Sequence, residues 1–297
     1  MIPITQTLGY NRLITKNSLL LLLVIPALGA GTPSRFAPYA GGQVHYESYG
    51  SGNEAVVFIH GWTCDLTFWR EQAPVYENHR SLLIDLPGHG QSDKPRGPYP
   101  VEFFARGVEA VMRDAGVDRA VLVGHSLGGP IVYTFLRLFP EQVKAVVLVD
   151  ANVHAPMNTP AYRKAQQRLY DQNVRVLSGP SGRKYMAGSI ERMFSDQTPP
   201  AWRGQISAKM LATPDYVRVA AVSSPSQLDP PKPGETYAVP ALAILAGSQA
   251  SLDLRVAATR RIFPNLQAEK WVGHGHFVMV EDPERFNKSL EDFLATH

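Results

Sequence analysis

The sequence is poor in cysteine and in clustered positive charge, and each shortage excludes a class of protein. Cys64 is the single cysteine among 297 residues, so no disulfide bond can form within the chain. A lone cysteine is more often a small buried side chain than a reactive thiol, and we favour the buried interpretation. The net charge is only +3, and no cluster of lysine and arginine alternates with aromatic residues. This composition argues against a nucleic-acid partner.

Long apolar runs are also missing, and the strongest one lies near the N-terminus. Leu19 to Ile25 is well short of the roughly 20 residues that a membrane-spanning helix needs. Arg12 and Lys16 precede this run and small residues follow it, which is the order of an export signal. We therefore predict a signal peptide over residues 1–29, no stable membrane span after its removal, and a secreted or periplasmic protein. The alternative is a membrane anchor.

The pentapeptide Gly124-His125-Ser126-Leu127-Gly128 stands between a strand pattern and a helix pattern. The apolar run Ala120 to Val123 precedes it, and the helical pattern Gly129 to Leu136 follows it. A GxSxG sequence in this context predicts a sharp turn that lifts the serine hydroxyl clear of a sheet. Neighbouring backbone then comes so close that a side chain two positions away on either side would clash. Ser126 is therefore the candidate nucleophile.

Three further segments accompany this motif along the chain. The strand pattern Val56 to Ile59 ends in His60-Gly61-Trp62, where a glycine-containing loop can present a backbone N–H to an oxyanion. A second strand pattern continues into the tight loop Asp85-Leu86-Pro87-Gly88-His89-Gly90-Gln91-Ser92-Asp93. Near the C-terminus, Gly275-His276-Phe277 precedes Glu281-Asp282-Pro283 and an amphipathic helix. Since a serine hydroxyl is a weak nucleophile, a histidine in this last segment can supply the base that it needs.

These four motifs together closely resemble the α/β-hydrolase superfamily. The similarity runs from about Gln43 to the end of the chain, apart from a middle stretch. It implies a helical cap inserted over the active site. We expect the two parts of the α/β-hydrolase core at residues 30–152 and 239–297, with the helical cap at residues 153–238.

Alternating strand and helix patterns independently argue for an α/β fold, a mostly parallel, doubly wound sheet with helices on both faces. Between about Val153 and Ala238 the alternation stops, and the spacing becomes helical, with Trp202, Ile206 and Met210 on one face. The predicted strands are Val56 to His60, Leu82 to Leu86, Ala120 to Gly124, Ala145 to Asp150, Ala241 to Gly247 and Ala268 to Val272.

The resemblance assigns the base and the oxyanion hole. In the family pattern the base directly precedes an apolar residue and stands shortly before Glu-x-Pro, which favours His276 over the neighbouring His274. The backbone N–H groups of Trp62 and Leu127 are the expected oxyanion donors. This chemistry requires no metal and no cofactor. The remaining histidines are expected to make hydrogen bonds in turns, among them His60, His89 and His125.

The acid that orients the base departs from the commonest family pattern. The usual acid follows the strand Ala241 to Ala246 in a G-x-x-D arrangement, but here that position holds Ala250. Asp253 lies nearby at the start of a helical pattern, where capping and the helix dipole explain it. Asp150 ends the strand pattern Ala145 to Val149, and some family members place their acid after that strand. We favour Asp150 over Asp253.

These residues predict a serine hydrolase that cleaves carboxylic esters or related small acyl substrates through an acyl-enzyme intermediate. Ser126 attacks, His276 transfers the proton, and a carboxylate orients His276. Two alternatives stay open: a cofactor-free carbon–carbon bond hydrolase on the same triad, and a non-catalytic ligand-binding homologue. The sequence specifies neither the substrate, its acyl length nor the oligomeric state.

Overall fold

The computed structural model describes residues 34–153, 159–222, 225 and 228–297. The predicted signal peptide and its cleavage site lie outside the described residues. Within the described part of the chain, no helix is both long and apolar enough to cross a membrane. Export therefore stays a prediction from the sequence.

One eight-stranded sheet runs through the described residues. Its order is β1-β2-β4-β3-β5-β6-β7-β8. The pairs β1–β2 and β2–β4 are antiparallel, and all the other pairs are parallel. The strands are β1 (Ser34–Tyr39), β2 (Gly42–Tyr49), β3 (Glu54–Ile59), β4 (Ser81–Ile84), β5 (Arg119–His125), β6 (Val143–Val149), β7 (Ala241–Gly247) and β8 (Leu266–Val272).

Helices connect the parallel strands, because parallel neighbours need long crossover connections. They are α1 (Ala73–Tyr76), α2 (Val101–Asp114), α3 (Gly128–Leu138), α4 (Pro160–Ser178), α5 (Gly182–Glu191), α6 (Pro200–Ala212), α7 (Asp215–Val222), α8 (Gln249–Arg260), α9 (Val278–Glu281) and α10 (Pro283–Leu294). Alternate residues of β3 enter two separate cores, because successive side chains of a strand point to opposite faces. Val57 and Ile59 pack in one core, and Val56 and Phe58 pack in the other.

The six predicted strands are confirmed as β3 to β8, with ends that differ by at most two residues. The hairpin of β1 and β2 was not expected. Its two-residue turn, Ala40 and Gly41, has φ values of +50° and +78°, which a type I′ turn requires at both positions. Alanine is rare at a positive φ, so this turn lacks the usual sequence signal.

Between β6 and β7 the described residues form the helices α4 to α7. The helical face expected in α6 is present: Ile206 and Met210 are buried, and Trp202 is half-buried against the same core. This stretch contributes no strand to the described sheet. The boundaries of a separate cap at residues 153–238 stay a prediction.

Candidate active site

Ser126 lies at the tip of a sharp turn between β5 and α3. Its φ is +53°, a left-handed conformation that costs a non-glycine residue of order 1 kcal/mol. A Cβ atom at Gly124 would lie 2.6 Å from the carbonyl oxygen of Gly128, and one at Gly128 would lie 2.7 Å from that of Ile59. Both clashes are with backbone, so the turn requires glycine on either side of the serine, as expected.

The loop after β3 lies directly against this turn. A Cβ atom at Gly61 would lie 2.9 Å from Cβ of Ser126. The two expected oxyanion donors are next to this contact in the chain: Trp62 follows Gly61, and Leu127 follows Ser126. The indole N–H of Trp62 donates to the carbonyl oxygen of Arg218 in α7, at 3.0 Å. This bond joins the loop to the helices between β6 and β7.

His60 supports the same loop from within the core. Its Nε2 accepts the N–H of Leu86 at 3.0 Å, so its Nδ1 carries the proton and donates to the carbonyl oxygen of Gly61 at 2.8 Å. Burial lowers the pKa of His60, which keeps the imidazole neutral and able to accept. His89 similarly contacts the carbonyl oxygen of Pro87 at 3.0 Å. The expectation that these histidines serve hydrogen bonds in turns is confirmed.

Asp150 and His276 are brought together at the carboxyl ends of the strands. Oδ2 of Asp150 lies 2.5 Å from Nδ1 of His276. Burial by itself would raise the pKa of Asp150, but the hydrogen bond from His276 and the charge of Arg255 lower it to about 2. The carboxylate is therefore ionised at neutral pH and accepts the Nδ1 proton. Nε2 of His276 is left as the proton acceptor.

Asp253, the other candidate for the acid, lies elsewhere. Asp253 is inside α8, and its Oδ1 accepts from Lys270 at 2.5 Å and from Gln249 at 3.0 Å. Ser248 caps α8 by accepting the N–H of Ser251, so the capping explanation for Asp253 is wrong.

His274 contacts Trp271 and Asp282. Its ring packs against Trp271 with the ring centroids 5.0 Å apart, and its Nε2 lies 3.8 Å from a carboxylate oxygen of Asp282. Among the described residues, neither of its ring nitrogens has a hydrogen-bond partner. The structure thus brings only one of the two neighbouring histidines to a buried carboxylate.

His125 packs on the ring of His276, with the ring centroids 4.7 Å apart. Its Nε2–H donates to the backbone carbonyl oxygen of His276 at 3.0 Å. Burial lowers the pKa of His125 to about 3, so the ring is neutral at neutral pH. His125 therefore holds the backbone of His276 without placing a second positive charge beside it.

Glu281 joins the loop of His276 to the segment between α5 and α6. One of its carboxylate oxygens accepts the N–H of Gly275 at 2.7 Å and the hydroxyl of Ser195 at 2.8 Å, and the other accepts the hydroxyl of Thr198. The backbone N–H of His276 donates to the carbonyl oxygen of Met193 at 2.7 Å. The segment from Met193 to Thr198 thus helps to hold the histidine. Glu281 was visible in the sequence only as part of a motif, without a role.

We expect Glu281→Ala to weaken both folding and turnover. The change leaves the Gly275 N–H and two hydroxyl groups without their shared acceptor, which costs about 2–3 kcal/mol of unfolding free energy. A freed His276 loop lowers kcat by up to about 100-fold, since a displacement of about 1 Å has that effect. Urea unfolding and ester kinetics measure the two effects. Glu284→Ala, at an exposed position of α10, is the control, and equal behaviour of the two variants would contradict the role of Glu281.

Cys64 lies next to the loop of Trp62 but is buried. Burial raises the pKa of its thiol well above the ordinary value, so the thiol stays protonated and the buried interpretation is confirmed. In the ranges that the structure describes, no group of three or more histidine, cysteine or acidic side chains is placed to hold a metal ion.

Comparison with known proteins identifies a family and several similar proteins. The model of a family described as alpha/beta hydrolase fold matches residues 54–283. An uncharacterised protein of Mycobacterium tuberculosis is 29% identical over 268 residues, which cover 83% of this chain and 76% of that protein. A 2-hydroxy-6-oxononadienedioate/2-hydroxy-6-oxononatrienedioate hydrolase of Paraburkholderia phymatum is 28% identical over 276 residues, covering 85% of this chain and 91% of that protein.

A solved structure extends the comparison to the fold. A thermophilic esterase from Thermogutta terrifontis matches with a TM-score of 0.71 and 21% identity, covering 89% of this chain and 98% of the esterase. At this level of identity the likeness shows a shared fold and nothing about the substrate.

Proposed function

The chain belongs to the alpha/beta hydrolase fold family, and we propose that this hydrolase cleaves carboxylic esters through an acyl-enzyme intermediate on Ser126. The observation that carries the proposal is the 2.5 Å contact between Asp150 and Nδ1 of His276. It fixes the imidazole tautomer that can take a proton from a serine hydroxyl. The strained turn at Ser126 supports the proposal, because it projects that hydroxyl from the sheet.

The proposed reaction uses only side chains and backbone of this chain. Oγ of Ser126 attacks the ester carbonyl carbon while Nε2 of His276 takes the hydroxyl proton, and Asp150 stabilises the imidazolium that forms. The N–H groups of Trp62 and Leu127 stabilise the oxyanion, each contributing about 3 kcal/mol. The alcohol leaves with the proton from His276. Water, activated by the same base, then attacks the acyl-enzyme and releases the acid.

A second candidate reaction is hydrolysis of a carbon–carbon bond in a keto acid by the same residues. It is supported by the 28% identity to the 2-hydroxy-6-oxononadienedioate hydrolase over 91% of that protein. The chemistry differs in the bond that breaks, whereas the nucleophile and the base are shared. A substrate comparison therefore separates the two reactions.

The direct test is a panel of p-nitrophenyl esters of graded acyl length, assayed beside a 2-hydroxy-6-oxo-dienoic acid. The proposal predicts saturable turnover of at least one ester that exceeds turnover of the keto acid. Faster turnover of the keto acid would favour the second candidate. No turnover of any substrate by folded protein would favour a non-catalytic ligand-binding homologue.

We expect His276→Ala to lose nearly all esterase activity, by about 10⁴-fold or more, because no other group takes the proton of Ser126. His274→Ala is a matched control two residues away and keeps most of the activity. Steady-state ester kinetics on the two variants and the wild type measure the difference. The reverse result for the two variants would reassign the base to His274.

A further inference from the structure

Arg255 places a fixed positive charge on the carboxylate of Asp150. It projects from α8, and its Nη1 lies 2.7 Å from Oδ1 of Asp150, the oxygen that does not face His276. The exposed fractions of the two side chains are 13% for Arg255 and 9% for Asp150. Since little solvent reaches the pair, its charges are weakly screened.

Three acceptors hold the guanidinium in one orientation. Besides Asp150, Nη1 donates to the carbonyl oxygen of Ala246 at 2.9 Å, and Nε donates to the side-chain oxygen of Asn152 at 2.9 Å. Two acceptors, Asp150 and Asn152, follow β6, and the third, Ala246, is the second-last residue of β7, so Arg255 links the carboxyl ends of two neighbouring strands. A lysine has a single compact ammonium group and cannot reproduce this fork.

The carboxylate of Asp150 is therefore shared among three donors. One oxygen accepts from His276, and the other accepts from Arg255 and from the N–H of Ala246 at 3.1 Å. An opposite charge nearby favours the ionised form of an acid or base, whereas a like charge disfavours it. Arg255 thus has two effects on His276: it holds the carboxylate in place, and its charge opposes the imidazolium.

We propose that Arg255 is a positioning residue that orients Asp150 and sets the pH at which His276 becomes neutral and able to act as the base. This inference rests on the proposed function, because it assumes that His276 is the proton acceptor. In this proposal α8 supplies the cation, Arg255, that contacts the acid. The acid itself, Asp150, comes from the loop after β6.

Other charged or titratable groups lie on the loop of His276 and on the elements that hold this loop, and each one stays unchanged when Arg255 is replaced. They come from the end of β5, the loop after β8, α9 and its C-terminal cap, and α6. The guanidinium of Arg203 in α6 donates to the carbonyl oxygen of Ser195. Ser195 belongs to the segment that holds the His276 loop. The groups are His125, His274, Glu281, Asp282 and Arg203.

The test compares Arg255→Gln with Arg255→Lys in kcat/KM profiles across pH. Glutamine removes the charge, so the acidic limb moves to higher pH by about one unit, because Asp150 then stabilises the imidazolium without opposition. Lysine keeps the charge, so the limb stays near its wild-type position. The plateau rate of Arg255→Lys nevertheless falls several-fold, because the fork to Asn152 and Ala246 is lost. Thermal melts establish that both variants fold.

A second readout does not depend on turnover. Histidine ring signals are titrated by NMR in Ser126→Ala protein, with and without Arg255→Gln, and the His276 signal is assigned by its loss in His276→Asn. We expect the His276 midpoint to move to higher pH in the glutamine variant. An unmoved midpoint would show that Arg255 is only structural and would overturn the inference. Should the panel of esters show no activity, the proposed function fails while this titration still decides the role of Arg255.

Discussion

Replacement of Ser126 by alanine lowers kcat/KM for the best ester by about 10⁴- to 10⁶-fold, because the nucleophile is removed while the fold is kept. Alanine fits the same turn, since it is smaller than serine and tolerates the φ of +53° comparably. Steady-state kinetics measure the loss, and a thermal melt close to that of the wild type excludes unfolding as its cause.

An exposed serine provides the control for this variant. Ser51 lies between β2 and β3 at the surface, and Ser51→Ala is expected to keep the wild-type rate. Substantial esterase activity in Ser126→Ala would contradict the acyl-enzyme mechanism and assign the chemistry to another group.

Asp150→Asn lowers kcat by up to about 10⁴-fold. The amide can donate a hydrogen bond to Nδ1 of His276, which places the proton on Nε2, the atom that must accept it from Ser126. The substitution also removes the negative charge that Arg255 contacts at 2.7 Å, so a loss of stability accompanies the loss of rate. Kinetics and urea unfolding, measured on the same preparation, separate the two effects.

Asp253→Asn is the matched control, since it makes the same change at the other acid considered from the sequence. Its carboxylate is exposed and pairs with Lys270, and exposed ion pairs contribute little to stability. The variant is expected to retain near wild-type turnover. A large loss in Asp253→Asn with little effect of Asp150→Asn would move the acid to α8.

The parts of the fold that follow from short-range patterns could be predicted from the sequence. The apolar run before Ser126 and the helical pattern after it specify β5, the turn and α3, because strand and helix periods are local properties. The clashes expected for a side chain at Gly124 or Gly128 are also present, because the sharp turn itself brings backbone close to both glycines. The hairpin of β1 and β2 was missed because Ala40 occupies a turn position that usually signals itself by asparagine or glycine.

The contacts that complete the site depend on how distant segments meet, and no local pattern encodes them. Arg255 reaches Asp150 across 105 residues of chain, and Ser195 reaches Glu281 across 86. In the sequence each of these is an ordinary polar residue on a helix or in a loop. The preference for Asp150 over Asp253 came from the missing acid at Ala250, whereas the distance between Asp150 and His276 required the folded chain.

The central claim, that Ser126 is the nucleophile activated by His276 and Asp150, is tested most directly by locating a covalent adduct. The wild-type protein is treated with a p-nitrophenyl phosphonate, digested and mapped by mass spectrometry. The account predicts one adduct, on Ser126, with parallel loss of ester hydrolysis and with much slower labelling in His276→Ala and Asp150→Asn. An adduct on a different residue, or undiminished ester hydrolysis by protein fully labelled at Ser126, would contradict it.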